Sequence, residues 1–146
     1  MMTTGAANEL RVWERAKNVW HDYTAQTGLS NDRIGSALAE DRHGNVWIGT
    51  SSDHRDSALI RYRRGEFRIL AQSAETPAGW ITDLYVDSRG RLWVAATENG
   101  LFRLDETDSD RFDFVRYTSA EGLTSDTIIA VTIRFPASSV MVWFSE

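Results

Sequence analysis

Apolar and polar residues alternate along this chain in short runs separated by turn residues, and no stretch sustains the spacing of a helix of three or more turns. Residues 34–41 and 80–87 both read as strands. In the second, Trp80, Thr82, Leu84 and Val86 fall on one side, with Ile81, Asp83, Tyr85 and Asp87 on the other. Each run ends in Asp-x-x-Gly, a tight reversal in which Asp caps the turn through its side chain and Gly takes the positive φ. A second strand follows at 46–51 or 92–97, a third at 58–63 or 101–105, and a fourth at 66–71 or 112–117.

The pattern is periodic. Asp41, Gly44 and Trp47 reappear as Asp87, Gly90 and Trp93, each displaced by 46 positions. Trp20, Tyr23, Thr24, Gly28 and Leu29 reappear as Phe114, Tyr117, Thr118, Gly122 and Leu123, each displaced by 94, which is two periods of 47. Four short antiparallel strands in each period of roughly 40–50 residues are the signature of a β-propeller blade. The ends follow the same rule. Residues 10–24 match the last two strands of a blade, 128–135 a first strand and 140–145 a second, which places Trp143 to take the recurring Trp site. The expected organisation is an all-β chain with a flexible tail at 1–9, a half-blade at 10–27, blades at 28–72 and 73–118, and a complementary half-blade at 119–146.

Composition narrows the function classes. A chain of 146 residues, 42% hydrophobic with six Trp, is long and apolar enough for a core. It holds no apolar run of about 18 residues that would span a membrane, and residues 1–9 lack the charge and apolar stretch of a secretory signal. With no cysteine, disulfide scaffolds, thiol catalysis and cysteine zinc sites are excluded. A net charge of −5 argues against nucleic acid as a partner, and no membrane contact by this chain is expected.

The segments Gly28-Leu29-Ser30-Asn31, Asp41-x-x-Gly44-x-Val46-Trp47-Ile48-Gly49-Thr50, Asp87-x-x-Gly90 with Trp93, Asn99-Gly100-Leu101-Phe102-Arg103-Leu104-Asp105 and Gly122-Leu123 through Asp126 to Ile128 resemble the two-component regulator propeller repeat. The resemblance implies β-propeller blades of the kind found in the extracytoplasmic sensor parts of hybrid histidine kinases, some of which respond to glycans. It therefore implies a non-enzymatic, sensor-type module for a ligand or partner, with a small carbohydrate as ligand and no cofactor. It also implies an extracytoplasmic place if the chain is a fragment of a longer sensor; a complete chain would be cytoplasmic. The chain departs from the pattern at Gly79-Trp80, which replaces Gly-Leu-Ser-Asn, at Ala95-Ala96, which replaces Gly-Thr, and at Pro136-Ala137-Ser138-Ser139, which replaces Asp-x-x-Gly. It carries no kinase or DNA-binding segment.

Most of the chemically suggestive residues have structural roles in this scheme. Trp47, Trp93 and Trp143 are expected to pack between blades, and Asp41 and Asp87 to cap turns too far apart to share a proton. His21, His43 and His54 show no metal-ligand spacing. The best binding candidate is the polar loop carrying Asp53, His54 and Arg55, which is longer than its counterpart at 97–100 and lies on the face where propellers usually bind ligands. Arg33 and Asp126 stand in other connections on that face. Trp80 heads a first strand, where exposure towards the channel competes with core packing. These six residues form the candidate ligand-binding set, with no catalytic residue and no metal ligand. A lyase or hydrolase with His54 as base is the alternative, together with a purely structural propeller remnant. Arg61 and Arg63 are expected on a solvated outer strand beside Glu66, and the five acids of 105–113 in an exposed turn.

Closed propellers use about four to eight blades. Two blades and two half-blades leave raw edges, which invite pairing with other chains. The expected partner is the chain itself. Strand pairing between the two half-blades would make a homodimer of six blades or a trimer of nine.

Overall fold

A computed structural model of the chain describes residues 2–4, 10–22, 34–50, 59–70, 76–77, 79–97, 99–108, 110–134 and 139–144. They form thirteen strands in four antiparallel sheets and one short 3-10 turn, Ser119–Glu121. The N-terminal sheet holds β1 (Met2–Thr4), β2 (Leu10–Glu14) and β3 (Val19–Asp22) in that order. The first blade is β4 (Ile34–Glu40), β5 (Val46–Thr50), β6 (Leu59–Arg63) and β7 (Glu66–Ile69). The second blade is β8 (Ile81–Val86), β9 (Leu92–Ala96), β10 (Gly100–Leu104) and β11 (Phe114–Tyr117). The C-terminal hairpin pairs β12 (Ile128–Arg134) with β13 (Ser139–Phe144). The architecture is all-β, with four-stranded propeller blades in which each strand pairs with the one before it.

Sheets are joined through one recurring type of interface. Each blade has a face bearing its recurring Trp, and this face packs on the opposite face of the following sheet. Between the blades, Ala37, Trp47 and Leu59 meet Leu84, Leu92, Val94, Phe102 and Leu104. After the second blade, Trp93, Ala95 and Leu101 meet Ile128 and Val131. Before the first blade, Leu10 of the N-terminal sheet meets Ile48 and Ile60, with Tyr62 and Phe67 at the border. Burial of these aliphatic and aromatic side chains is the main cohesive term, about 1.5–3 kcal/mol for each large side chain fully removed from water.

Three details depart from simple alternation. The pairing of β8 with β9 slips between Ile81 and Asp83, and this bulge turns Ile81 onto the same side as Leu84 and Val86. Ile81 is buried there, while Trp80, expected beside Leu84, stands outside the ladder with its surface half exposed. The β12–β13 pairing slips at the equivalent place, between Ile128 and Ala130. Aligned on these slips, Met141 opposite Thr132 occupies the row in which Trp93 stands opposite Tyr85 and Trp47 opposite Ala39. Trp143 lies two residues further along, opposite Ala130, and so does not take the recurring Trp site. Arg134 stands at the position of Asp41 and Asp87, so a Trp in that row would have no carboxylate to bond. Finally, Met2–Thr4, in the segment read as a tail, pairs with β2 along the edge that β5 occupies on β6.

Candidate functional site

Antiparallel order sets all four within-blade turns that follow a first or third strand at one end of the sheets. The β9–β10 connection lies at the opposite end, here called the connection end. The two ends differ in what their side chains are doing.

At the turn end, the repeated Asp is consumed by the scaffold. Asp41 Oδ1 accepts from the backbone N–H of His43 (2.9 Å) and Asn45 (3.0 Å), and Oδ2 from Asn45 Nδ2 (2.8 Å) and Trp47 Nε1 (3.0 Å). Asp87 repeats the motif, accepting from the N–H of Arg89 and Arg91, from Arg91 Nε at 2.6 Å and from Trp93 Nε1 at 3.0 Å. Gly44 and Gly90, at φ 74° and 81°, close the two turns in the left-handed region. Burial pushes both carboxyls up, yet the converging donors outweigh it and hold both below the ordinary Asp value. In Asp41 these donors are Asn45 and Trp47; in Asp87 they are Trp93 and Arg91, with the Arg91 charge adding to the effect. Both carboxylates are spent on the turn and on the Trp indole.

The basic residues of β6 and β7 clamp the next blade. Arg61, expected in solvent, is only 6% exposed. Its guanidinium reaches Asp110 at 2.5 Å and lies 5.0 Å from the Phe112 ring centroid, and Arg68 covers the same ring at 4.9 Å. Arg63 pairs with Asp108 at 2.7 Å. Asn45 Nδ2 adds a 3.0 Å bond to the Thr107 carbonyl. The acidic 105–113 loop is therefore the surface on which the preceding blade docks. The paired residues lie 49 (Arg61 and Asp110) and 45 (Arg63 and Asp108) positions apart, on either side of the repeat period. Beside the clamp, Arg42, His43, Asp105, Glu106, Thr107 and Asp108 line an open polar cleft of about 360 Å³. Its carboxylates are largely engaged, Asp105 by Arg103 at 2.7 Å and Asp108 by Arg63, so the cleft reads as a seam between blades.

Two of the six sequence candidates, Trp80 and Asp126, stand at the connection end. Arg33, Asp53, His54 and Arg55 lie outside the described residues. Trp80 and Asp126 are described, and the short β9–β10 connection links them. The Trp80 carbonyl accepts from Thr97 N–H (2.9 Å), and the Asp126 carbonyl accepts from Gly100 N–H (2.8 Å). The Asp126 carboxylate accepts from Ser119 N–H (2.6 Å) and Ser119 Oγ (3.3 Å), holding the 3-10 turn that Thr118 caps. Gly79, at φ 80°, brings the chain so close to Asn99 that a Cβ there would meet Asn99 Nδ2 at 2.9 Å. The β9–β10 connection thus holds the backbone of Trp80, a residue 50% exposed at the head of a first strand, and that of Asp126. Among the described residues, no cluster of His, Cys, Asp and Glu has the geometry to hold a metal ion.

Residues 28–52 and 76–98 match the family model described as two component regulator propeller. Each segment spans the first two strands of a blade with its Asp-x-x-Gly turn and Trp. No curated protein matches the chain in sequence. Among solved structures, the extracellular domain of BT3049 from B. thetaiotaomicron, described as a hybrid two component system, is 22% identical with a TM-score of 0.64. That alignment covers 90% of this chain and 18% of the other. The extracellular domain of BT4673 from the same organism, described likewise, is 23% identical with a TM-score of 0.68, covering 97% of this chain and 20% of the other. The chain thus spans about a fifth of the length of these structures, and the likeness establishes the propeller fold.

Proposed function

We propose that this chain is part of a sensor-type β-propeller: a non-enzymatic module that binds a small carbohydrate at its connection end. In this reading it works outside the cytoplasm, within a ring completed by further copies of the chain. The observation that carries the proposal is the division of labour between the two ends. The repeated Asp, Trp and Arg residues of the turn end are spent on hydrogen bonds and ion pairs that hold blades together. The connection end presents a half-exposed Trp80 beside Thr97 and Asn99. The repeat match and the two extracellular sensor domains with this fold support the sensor reading. The enzymatic alternative has His54 as base, and His54 lies outside the described residues; Asp41 and Asp87 are spent on the turn and the Trp.

The test is a thermal-shift screen of the purified chain against a panel of soluble mono- and oligosaccharides, repeated with Trp80→Ala. A sugar that raises the melting temperature of the wild type and leaves Trp80→Ala unmoved supports the site. Shifts of equal size in both proteins would remove Trp80 from it, and no shift with any sugar would reject carbohydrate as the ligand.

A further inference from the structure

We infer that Asn99 is a guarded deamidation site, held closed by the Asp126 carbonyl and converted to aspartate or isoaspartate when the β11–β12 connection undocks.

The chemistry begins in the sequence. Of the five asparagines, Asn99 alone precedes a glycine. In such a pair the Gly100 nitrogen can attack Asn99 Cγ, because glycine has no side chain to shield its own nitrogen. The new N–Cγ bond closes a succinimide ring. The Cγ–Nδ2 bond breaks, and the proton given up by the Gly100 nitrogen leaves with the amide as ammonia. Water then opens the ring at Cγ to give aspartate, or at the main-chain carbonyl carbon to give isoaspartate. No enzyme, metal or oxidant is required.

The fold explains both why the pair is present and what restrains it. Gly100 stands at φ 83°, and a Cβ at this position would run into the Tyr117 carbonyl. Glycine is therefore required, and the unshielded nitrogen comes with it. The groups that must move are each tied down. The Gly100 N–H donates to the Asp126 carbonyl at 2.8 Å, so the proton that has to leave is bound. The Asn99 carbonyl accepts from Arg116 Nε at 2.9 Å, and Asn99 Nδ2 donates to the Thr97 carbonyl at 3.5 Å.

The Asp126 carbonyl is the movable part of the guard. It follows a 3-10 turn, Ser119–Glu121, that contains no buried residue. The turn and Asp126 are held to each other by local bonds, from Ser119 N–H and Oγ to the Asp126 carboxylate. A short exposed turn of this kind opens at lower free energy than the strands beneath it, so Gly100 N–H can be released while the blade stays folded. Conversion then runs one way. Isoaspartate adds a carbon to the main chain next to Gly100 and shifts its N–H away from Asp126. Either product loses the Nδ2 donor to Thr97. Gly79, beside Trp80, approaches that same Nδ2, so the change reaches the head of β8.

The test follows the tryptic peptide 92–103, which carries Asn99, by mass spectrometry during incubation at mildly alkaline pH. Conversion in the folded chain is expected to be slower than in the chain unfolded in guanidinium chloride by more than about tenfold. The same bond must part for hydrogen exchange at the Gly100 amide, so exchange there should be slowed by the same factor as conversion. Asp126→Ala is expected to speed conversion while far-ultraviolet circular dichroism stays unchanged. Equal rates in the folded and unfolded chains, unequal slowing of exchange and conversion, or a folded Asp126→Ala variant that converts at the wild-type rate would each overturn the proposal. Should Asp126→Ala fail to fold, the two wild-type comparisons decide it alone.

Discussion

The indole N–H of Trp47 donates to the Asp41 carboxylate across six residues of chain at 3.0 Å, and Trp93 does the same to Asp87 at the same distance. Each pair joins the first strand of a blade to the second and sets the ring that packs on the next sheet. Removing the acceptor strands several buried donors at once, whereas removing the indole N–H leaves Asp41 with its bonds to Asn45 and the turn. Asp41→Ala is expected to lower unfolding stability by about 3 kcal/mol, while an isolated loss of the Trp47 hydrogen bond would cost about 1–2. Urea denaturation of Asp41→Ala, Trp47→Phe and the double variant checks this. A coupling energy near zero would show that the pair acts only through packing.

Acid should loosen the structure through the same carboxylates. Both titrate below the ordinary Asp value in the folded state, so the unfolded chain binds more protons on mild acidification. Their stabilisation is complete above the unfolded value and is lost as pH falls through the lower folded value. The urea midpoint should therefore fall with pH in that acidic window. In Asp87→Asn the pH dependence should be shallower than in wild type, and parallel curves would count against Asp87 as a contributor.

Gly49 packs tightly against the first strand of the next blade. A Cβ at this position would lie 2.5 Å from Ile81 Cγ2, 2.9 Å from Ile81 Cβ and 3.1 Å from Ala37 Cβ. Gly49→Ala is expected to destabilise by about 1–3 kcal/mol through overpacking. Adding Ile81→Ala removes the 2.5 Å contact with Cγ2, leaves the contact with Cβ and opens a cavity, so the double variant should be more stable than the sum of the single changes. Simple additivity in denaturant titrations would place the strain elsewhere.

The clamp formed by Arg61, Arg63 and Arg68 on Asp108 and Asp110 should respond to ionic strength in its exposed parts. Asp108→Asn with Asp110→Asn is expected to lower the melting temperature and to flatten its dependence on added salt. Arg61→Ala should cost more than Arg63→Ala, because Arg61 is the more deeply buried and also covers Phe112. An unchanged salt response in the double Asn variant would show that the clamp adds nothing to the joint.

The repeat displaced by 46 carried the architecture, because blades are local units whose strands pair with their sequence neighbours. Reading Asp as a turn cap and Trp as inter-blade packing anticipated their places but missed the bond between them, which crosses a hairpin and has no signature in alternation. Ile81 and Trp80 were misplaced for a specific reason. A bulge inserts one residue and exchanges the faces on either side of it, and period-two reading assumes that no such slip exists. Arg61 reads as solvated because its partners, Asp110 and Phe112, belong to the next blade, 49 and 51 residues away. Trp143 looked like a repeat Trp by spacing, but Arg134 in the capping position removes the reason for a Trp in that row. Of the six binding candidates, Trp80 and Asp126 meet at one connection, with Asp126 already committed to Ser119.

The Asp–Trp bond also supplies each blade with a private clock. The indole protons of Trp47 and Trp93 are buried and bound, and each sits at a different joint. Repeat architectures open by parting neighbouring layers, so each proton should exchange with solvent deuterium only when its own joint parts. Two resolved indole resonances would then time the opening of the two joints separately within one molecule, where a melting curve would merge them into a single transition.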